Sequence, residues 1–203
     1  MAAEPLSDLR FLRSTGSQFR TVFDELAALR IAVFREFPYL YEGSVAYEKE
    51  YLETYARSER SLLFAVYDDD RMIGATTALP LLDETEDVQQ PFRETGYNLD
   101  TIVYFGESIL LPEYRGLGLG HRFFDEREAH ARQFNQYTTT CFCAVQRPDD
   151  HPLRPVNYQP LDAFWHKRGY HREPNLQSTF TWPDRSETVS TPKQMVYWMK
   201  SIQ

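Results

Sequence analysis

The stretch Ile109-Leu-Leu-Pro-Glu-Tyr-Arg-Gly-Leu-Gly-Leu-Gly-His-Arg-Phe-Phe124 decides how this chain is read. An apolar run stops at Pro112. Glycines at 116, 118 and 120 then open an amphipathic helix, Gly118 to about Phe134, that turns Leu119, Phe123, Ala131 and Phe134 inward. Such a turn lets backbone N–H groups converge at the positive end of the helix dipole, and the missing side chains let an anion approach closely. The ligand this predicts is a diphosphate or another polyanion. Chance is a weak competitor: with 9 Gly in 203 residues, Arg-x-x-Gly-x-Gly is expected about 0.04 times. Other phosphate loops fit worse. A P-loop needs Lys and then Ser or Thr where His121-Arg122 stand, and a dinucleotide fingerprint needs glycine at His121 or Phe123. A nucleophile elbow is half present, because Gly106-Glu-Ser108-Ile-Leu110 lacks the second glycine and lies inside a strand.

Outward from this segment, Thr101–Leu111 reads as one long strand with Gly106 near its middle, a position where strands bulge or splay. Upstream come a short strand (Leu9–Arg13), a helix from Ser17 as N-cap to just before Pro38, a link through Gly43, and a helix over Val45–Tyr55. Ser61–Tyr67 and Met72–Leu79 form a hairpin about Asp68-Asp-Asp70, and the acidic stretch Leu82–Leu99 reads as a helix or lid. Downstream lie a strand (Thr138–Val145), a long loop to Pro160, a helix (Leu161–Arg168), and strands near Ser178–Trp182 and Gln194–Met199. This order predicts a mixed α/β (α+β) fold, mostly antiparallel, with one strand–loop–helix–strand unit at its centre. Residues 1–8 read as a loose end and 9–203 as a single domain.

Composition sets the outer bounds. At 203 residues and 42% hydrophobic, the chain can bury a core without a disulfide or metal. It contains no apolar run of membrane-spanning length, and Glu4 stands where a signal peptide carries basic residues, so a cytoplasmic protein with no membrane partner is expected. The balance of 22 basic and 30 acidic residues gives −8, the arginines are dispersed, and no basic stripe exists to bind nucleic acid. Cys141 and Cys143 would share one face of a strand; with no second cysteine pair they read as reduced core thiols, and no metal site is expected.

Leu110-Leu-Pro-Glu-Tyr-Arg-Gly-Leu-Gly-Leu-Gly120 resembles the acyl-CoA signature of the GCN5-related N-acetyltransferase (GNAT) superfamily: a hydrophobic strand, Pro, two residues, then Arg/Gln-x-x-Gly-x-Gly/Ala at a helix start. Ala163-Phe-Trp-His-Lys-Arg-Gly-Tyr170 is similar to the family's second motif. The resemblance implies a GNAT-like sheet with a splayed strand pair, between 101–111 and 138–145, and acetyl-CoA as cofactor. It implies that pantetheine amides pair with the backbone of Ile109 and Leu111, on either side of Leu110. The pyrophosphate would rest on N–H groups of Gly116, Leu117, Gly118, Leu119, Gly120 and His121, with Arg115 adding charge or bracing the loop. Asn157 is a further pantetheine contact.

Amide-forming acetyl transfer needs a neutral amine, and most amines are protonated at pH 7, so a base is useful. Glu107, alone in an apolar strand two residues before the cofactor contact, is the candidate. The leaving thiolate needs a proton, which a Tyr in the family's second motif commonly supplies. Here Trp165 occupies that position, and indole N–H is not an acid, so Tyr158 is the substitute candidate. Phe37, Tyr39 and Tyr41, in the link between the first two helices, read as the acceptor wall, with His151 as a further substrate contact. Together with the acidic balance they point to a small-molecule, cationic amine acceptor. A homodimer is compatible with this reading. Two alternatives stand beside it: a non-catalytic acyl-CoA-binding or regulatory module, and a hydrolase acting through Ser108.

Overall fold

Two apolar runs pair across a tight turn to start the sheet: β2 (Leu62–Asp68) and β3 (Arg71–Pro80), with Asp69 in the left-handed region at the corner. In the computed structural model, which describes residues 9–185 and 187–202, this hairpin is flanked by β1 (Arg10–Ser14) on the outside of β2. The loose segment expected at 1–8 lies outside the described residues. The remaining strands are β4 (Ile102–Tyr104), β5 (Ser108–Leu110), β6 (Thr139–Val145), β7 (His171–Trp182) and β8 (Thr191–Ser201). They complete the order β1-β2-β3-β4-β6-β8-β7, with β5 pairing β3 alone. Every pairing is antiparallel except β4 with β6, which are parallel and joined through helix α4 (Leu119–Arg132). The central crossover expected from the sequence is therefore present.

Helices α1 (Phe23–Phe34) and α2 (Val45–Arg57) lie over one face of this sheet, and α4 with α5 (Asp162–Lys167) over the other. Strand parity sets this division: Glu107 reaches α1, whereas Leu110 packs toward Phe123 of α4. α3 (Glu86–Glu94) packs at the β7–β8 end, where Ser178 Oγ donates to Asp87 O (2.8 Å). It is not a lid over the cleft described below.

Three expectations change. The first helix is shorter: α1 covers only Phe23–Phe34, and Gly16–Val22 before it winds as a 3-10 segment capped by Thr15 rather than Ser17, with Thr15 N–H donating to Gln18 Oε1 (3.3 Å). The long strand at 101–111 is two short ones. At Gly106 a Cβ would stand 1.9 Å from Tyr55 Oη and 2.7 Å from Thr77 Oγ1, so only glycine lets the backbone pass there. β7 starts seven residues earlier than its apolar pattern announced, because it is an exposed edge strand with a register shift between Glu173 and Gln177.

Candidate active site

The break after Tyr104 creates the site. Phe105 N–H still reaches Cys141 O on β6 (2.7 Å), but from Glu107 onward the chain turns to β3: Thr77 N–H donates to Glu107 O (3.1 Å), and Leu111 N–H donates to Ile73 O (3.0 Å). β5 has no pairing with β6, so a wedge opens between them. Backbone polar groups of alternate strand residues point to opposite edges. Glu107, Ile109 and Leu111 therefore turn theirs to β3, and Ser108 and Leu110 turn theirs to the wedge. This corrects the expected contacts of Ile109 and Leu111, whose side chains are buried in the core as well. Of the three cofactor-strand residues, Leu110 presents backbone to the cleft, and its carbonyl already accepts from Arg115 Nε (3.1 Å).

The glycine turn stands at the lower end of this wedge. Gly116 and Gly118 have φ of +81° and +86°, and Gly118 is the N-cap of α4, with no side chain bonded to the cap. A Cβ at either glycine would meet no protein atom within 4 Å. The N-terminal end of a 14-residue helix is thus left uncovered at these glycines, with Leu117, Leu119, Gly120 and His121 completing the turn. This cradle fits a diphosphate. Arg115 braces it: besides Leu110 O, its guanidinium holds Glu36 of the α1–α2 link (2.8 Å). His121 packs edge-on to Phe164 of α5, with ring centres 4.9 Å apart.

Glu107 is only 4% exposed and faces the α1–α2 layer. Its Oε2 accepts from Arg30 Nη1, and Arg30 Nε donates to Glu48 Oε2. Oε1 of Glu107 and Oε1 of Glu48 are buried without a partner. Burial pushes the Glu107 carboxyl above its ordinary range, with Arg30 opposing the rise and Glu48 adding to it. Behind this group, Tyr51 and Tyr55 donate to Glu84 Oε1 (3.3 and 3.1 Å), and burial raises that carboxyl too.

The aromatic link divides. Tyr39 stacks on Trp182 (6.0 Å), and its carbonyl accepts from Trp182 Nε1 (3.0 Å) and Arg147 Nη2 (2.7 Å), so it serves packing. Arg147 also holds Pro38 O and grips Asp184 through both terminal nitrogens (2.9 and 2.8 Å), tying the link to the end of β7. Tyr41 lies beside Glu48, and burial, with that carboxylate, raises its phenol. Phe37 meets Tyr158 edge-on (4.6 Å) and His151 (5.6 Å), which brings the loop after β6 against the link. Burial raises the Tyr158 phenol, and Asn157 is exposed. Trp165 packs on Phe142 and Trp198 (both 5.1 Å), away from any proton-transfer role. Cys141 and Cys143 are free thiols; burial pushes Cys143 up to about 12, and Tyr104 Oη lies 3.0 Å from its sulfur. Ser108 Oγ pairs with Thr76 Oγ1 (3.0 Å), not with a histidine, so it has no base to activate it.

Sequence reading missed Arg30, Glu48, Glu84 and Arg147. A signal existed for two of them. Arg30 falls on the buried stripe of α1 with Leu26, and Glu48 on that of α2 with Leu52 and Tyr55.

The chain belongs to the GNAT family of acetyltransferases, whose model, described as "Acetyltransferase (GNAT) family", matches residues 26–156. Solved structures share the fold at low identity. An acetyltransferase from Streptococcus agalactiae has a TM-score of 0.58 at 12% identity, covering 97% of this chain and 99% of its own. An aminoglycoside 6'-N-acetyltransferase complexed with coenzyme A gives 0.56 at 15%, with 95% and 97% covered. The ribosomal-protein-S18-alanine N-acetyltransferase of Escherichia coli gives 0.54 at 13%, with 96% and 95% covered. No curated protein sequence matches significantly. Among the described residues no helix is long and apolar enough to cross a membrane.

Proposed function

We propose that this enzyme moves the acetyl group of acetyl-CoA directly to the amine of a small cationic acceptor, in a ternary complex. The observation that carries the reading is the open glycine turn at the start of α4 beside the unpaired edge of β5. The turn at Gly116–His121 would hold the diphosphate, and the backbone of Ser108 and Leu110 the pantetheine amides. Bound acetyl-CoA supplies an activated thioester. Glu107 Oε1, being buried, takes the proton of the attacking amine through water, and its raised pKa brings it closer to the useful range for a base. Tyr158 Oη returns a proton to the departing thiolate. Phe37, Tyr41 and His151 line the acceptor's approach.

Two of the three neighbours are named for an aminoglycoside and for an alanine of ribosomal protein S18, so acceptor chemistry is read from this chain's own residues. Buried carboxylates and aromatic faces suit a compact primary amine, amino-acid-like, polyamine or amino-sugar, rather than an anionic metabolite. The test is thiol release from acetyl-CoA across cationic and anionic amine panels, with product mass confirming N-acetylation. Thiol release equal with and without every amine would refute the amine acceptor.

A further inference from the structure

We infer that Arg30 and Glu48 are positioning residues for the reaction: Arg30 holds Glu107 through Oε2 alone, and Glu48 takes part of the guanidinium, leaving Glu107 Oε1 as the basic atom. This rests on the reading that Glu107 is the base. The geometry is specific. Arg30 bonds the two carboxylates through different nitrogens, Nε and Nη1, so neither carboxylate receives the two-pronged grip that an arginine offers a single partner. The guanidinium is clamped over the rings of Tyr51 (4.6 Å) and Phe34 (5.1 Å), which fixes the direction in which it presents Glu107. Glu48 is fully buried, and neither Oε1 has a partner in good hydrogen-bond geometry, with the hydroxyls of Tyr41 beside Glu48 and Thr77 beside Glu107 as their neighbours. An apolar trio of equal volume would be as stable or more so, so stability alone does not account for two buried carboxylates on one cation.

The arrangement resolves a conflict in the chemistry. A carboxylate gripped by an arginine is held accurately but loses basicity, by about 1–3 pKa units for an opposite charge at contact. A carboxylate with no cation is basic but costly to bury. Sharing Arg30 with Glu48 gives Glu107 a fixed orientation with only part of the loss. Glu107 is faced by Arg30 from α1, by Glu48, Tyr51 and Tyr55 from α2, by Glu84 from the turn after β3, and by Thr77 from β3. Arg127 of α4 reaches its carbonyl (3.4 Å).

The two residues act on Glu107 with opposite sign, which a purely structural role does not reproduce. The first measurement is a carboxyl-13C NMR titration of the intact, Glu-labelled protein, with the Glu107 resonance identified by its loss in Glu107→Gln. Glu48→Gln keeps the shape and the hydrogen bond from Arg30 but removes the charge that competes for it, so the Glu107 midpoint should fall by about one unit. Arg30→Gln should raise it. The second measurement is the pH profile of turnover with acetyl-CoA and 1,4-diaminobutane, whose acid limb should move with the midpoint while KM for acetyl-CoA holds. Glu48→Gln decides the matter even if Arg30→Gln fails to fold, because the amide still accepts from Arg30. A midpoint unmoved in folded Glu48→Gln overturns the sharing of Arg30. A midpoint that moves while the turnover profile stays fixed overturns Glu107 as base instead.

Discussion

Replacing Gly118 by alanine separates the glycine turn's role in binding from its role in folding. Gly118 sits at φ +86° as the N-cap of α4. A residue with a Cβ in that region loses about 1–2 kcal/mol, which for a domain of this size lowers Tm by roughly 2–8 °C. The added methyl meets no protein atom within 4 Å, so strain is the whole effect on the free protein. A phosphate seated on the neighbouring N–H groups would meet that methyl. Loss of one hydrogen bond to a charged oxygen costs about 1.5–3 kcal/mol, or roughly ten- to a hundred-fold in Kd. Calorimetry with CoA and with pantetheine, which has no diphosphate, isolates the effect: CoA should weaken by that factor and pantetheine should not. Gly96→Ala is the matched control, since Gly96 has φ +80°, an equally open surrounding, and a place beyond the end of α3. It should lose the same stability and bind CoA normally. An unchanged CoA affinity in folded Gly118→Ala would refute the phosphate-cradle assignment.

Three further outcomes are expected. Glu107→Gln should cut turnover by about 10²- to 10⁴-fold with CoA affinity unchanged, and the deficit should shrink as pH rises and free amine accumulates; full turnover at pH 7 would remove Glu107 from the mechanism. Gly106→Ala forces a methyl to within 1.9 Å of Tyr55 Oη, so it should destabilise by about 1–3 kcal/mol or more in thermal or urea unfolding. Arg147→Gln frees Pro38 O, leaves Tyr39 O with Trp182 Nε1 and, among the described residues, leaves the Asp184 carboxylate paired with Lys193 (3.3 Å); it should raise KM for the acceptor and leave KM for acetyl-CoA in place.

What could be read from sequence was local. The turn 112–120 announces itself because its function resides in consecutive backbone amides, so spacing alone carries the information. The hairpin 62–80 and the crossover through α4 follow from apolar period for the same reason. β7 was cut short because the face of an edge strand is polar and Pro174 interrupts it. The Arg30–Glu48–Glu107 group draws one residue from each of three elements, and no spacing in the chain relates positions 30, 48 and 107. Only a charge on a stripe that should be apolar hints at it. Spacing does not tell which backbone edge faces the wedge: past Gly106 the backbone groups of Ile109 and Leu111 go to β3, and those of Ser108 and Leu110 face away from it.

The site's geometry also changes which acids matter for choosing an amine. The acidic balance includes the stretch after β3, and Glu36 and Glu42 near the link. In the fold Glu36 is paired with Arg115, Glu42 with Arg35 and Glu86 with Arg93, all near solvent, where pairs are weak and charges fade within about 8–10 Å. Glu48 and Glu107 are different, being buried, sharing one cation, and retaining an unpartnered oxygen each. Without Arg30, two such carboxylates would hold an ammonium as an ammonium and resist the deprotonation that attack requires. On the function proposed above, Arg30 offsets part of that pull, so that a cation is favoured and its proton stays removable. In that proposal the guanidinium that orients Glu107 also limits how tightly a protonated acceptor is held.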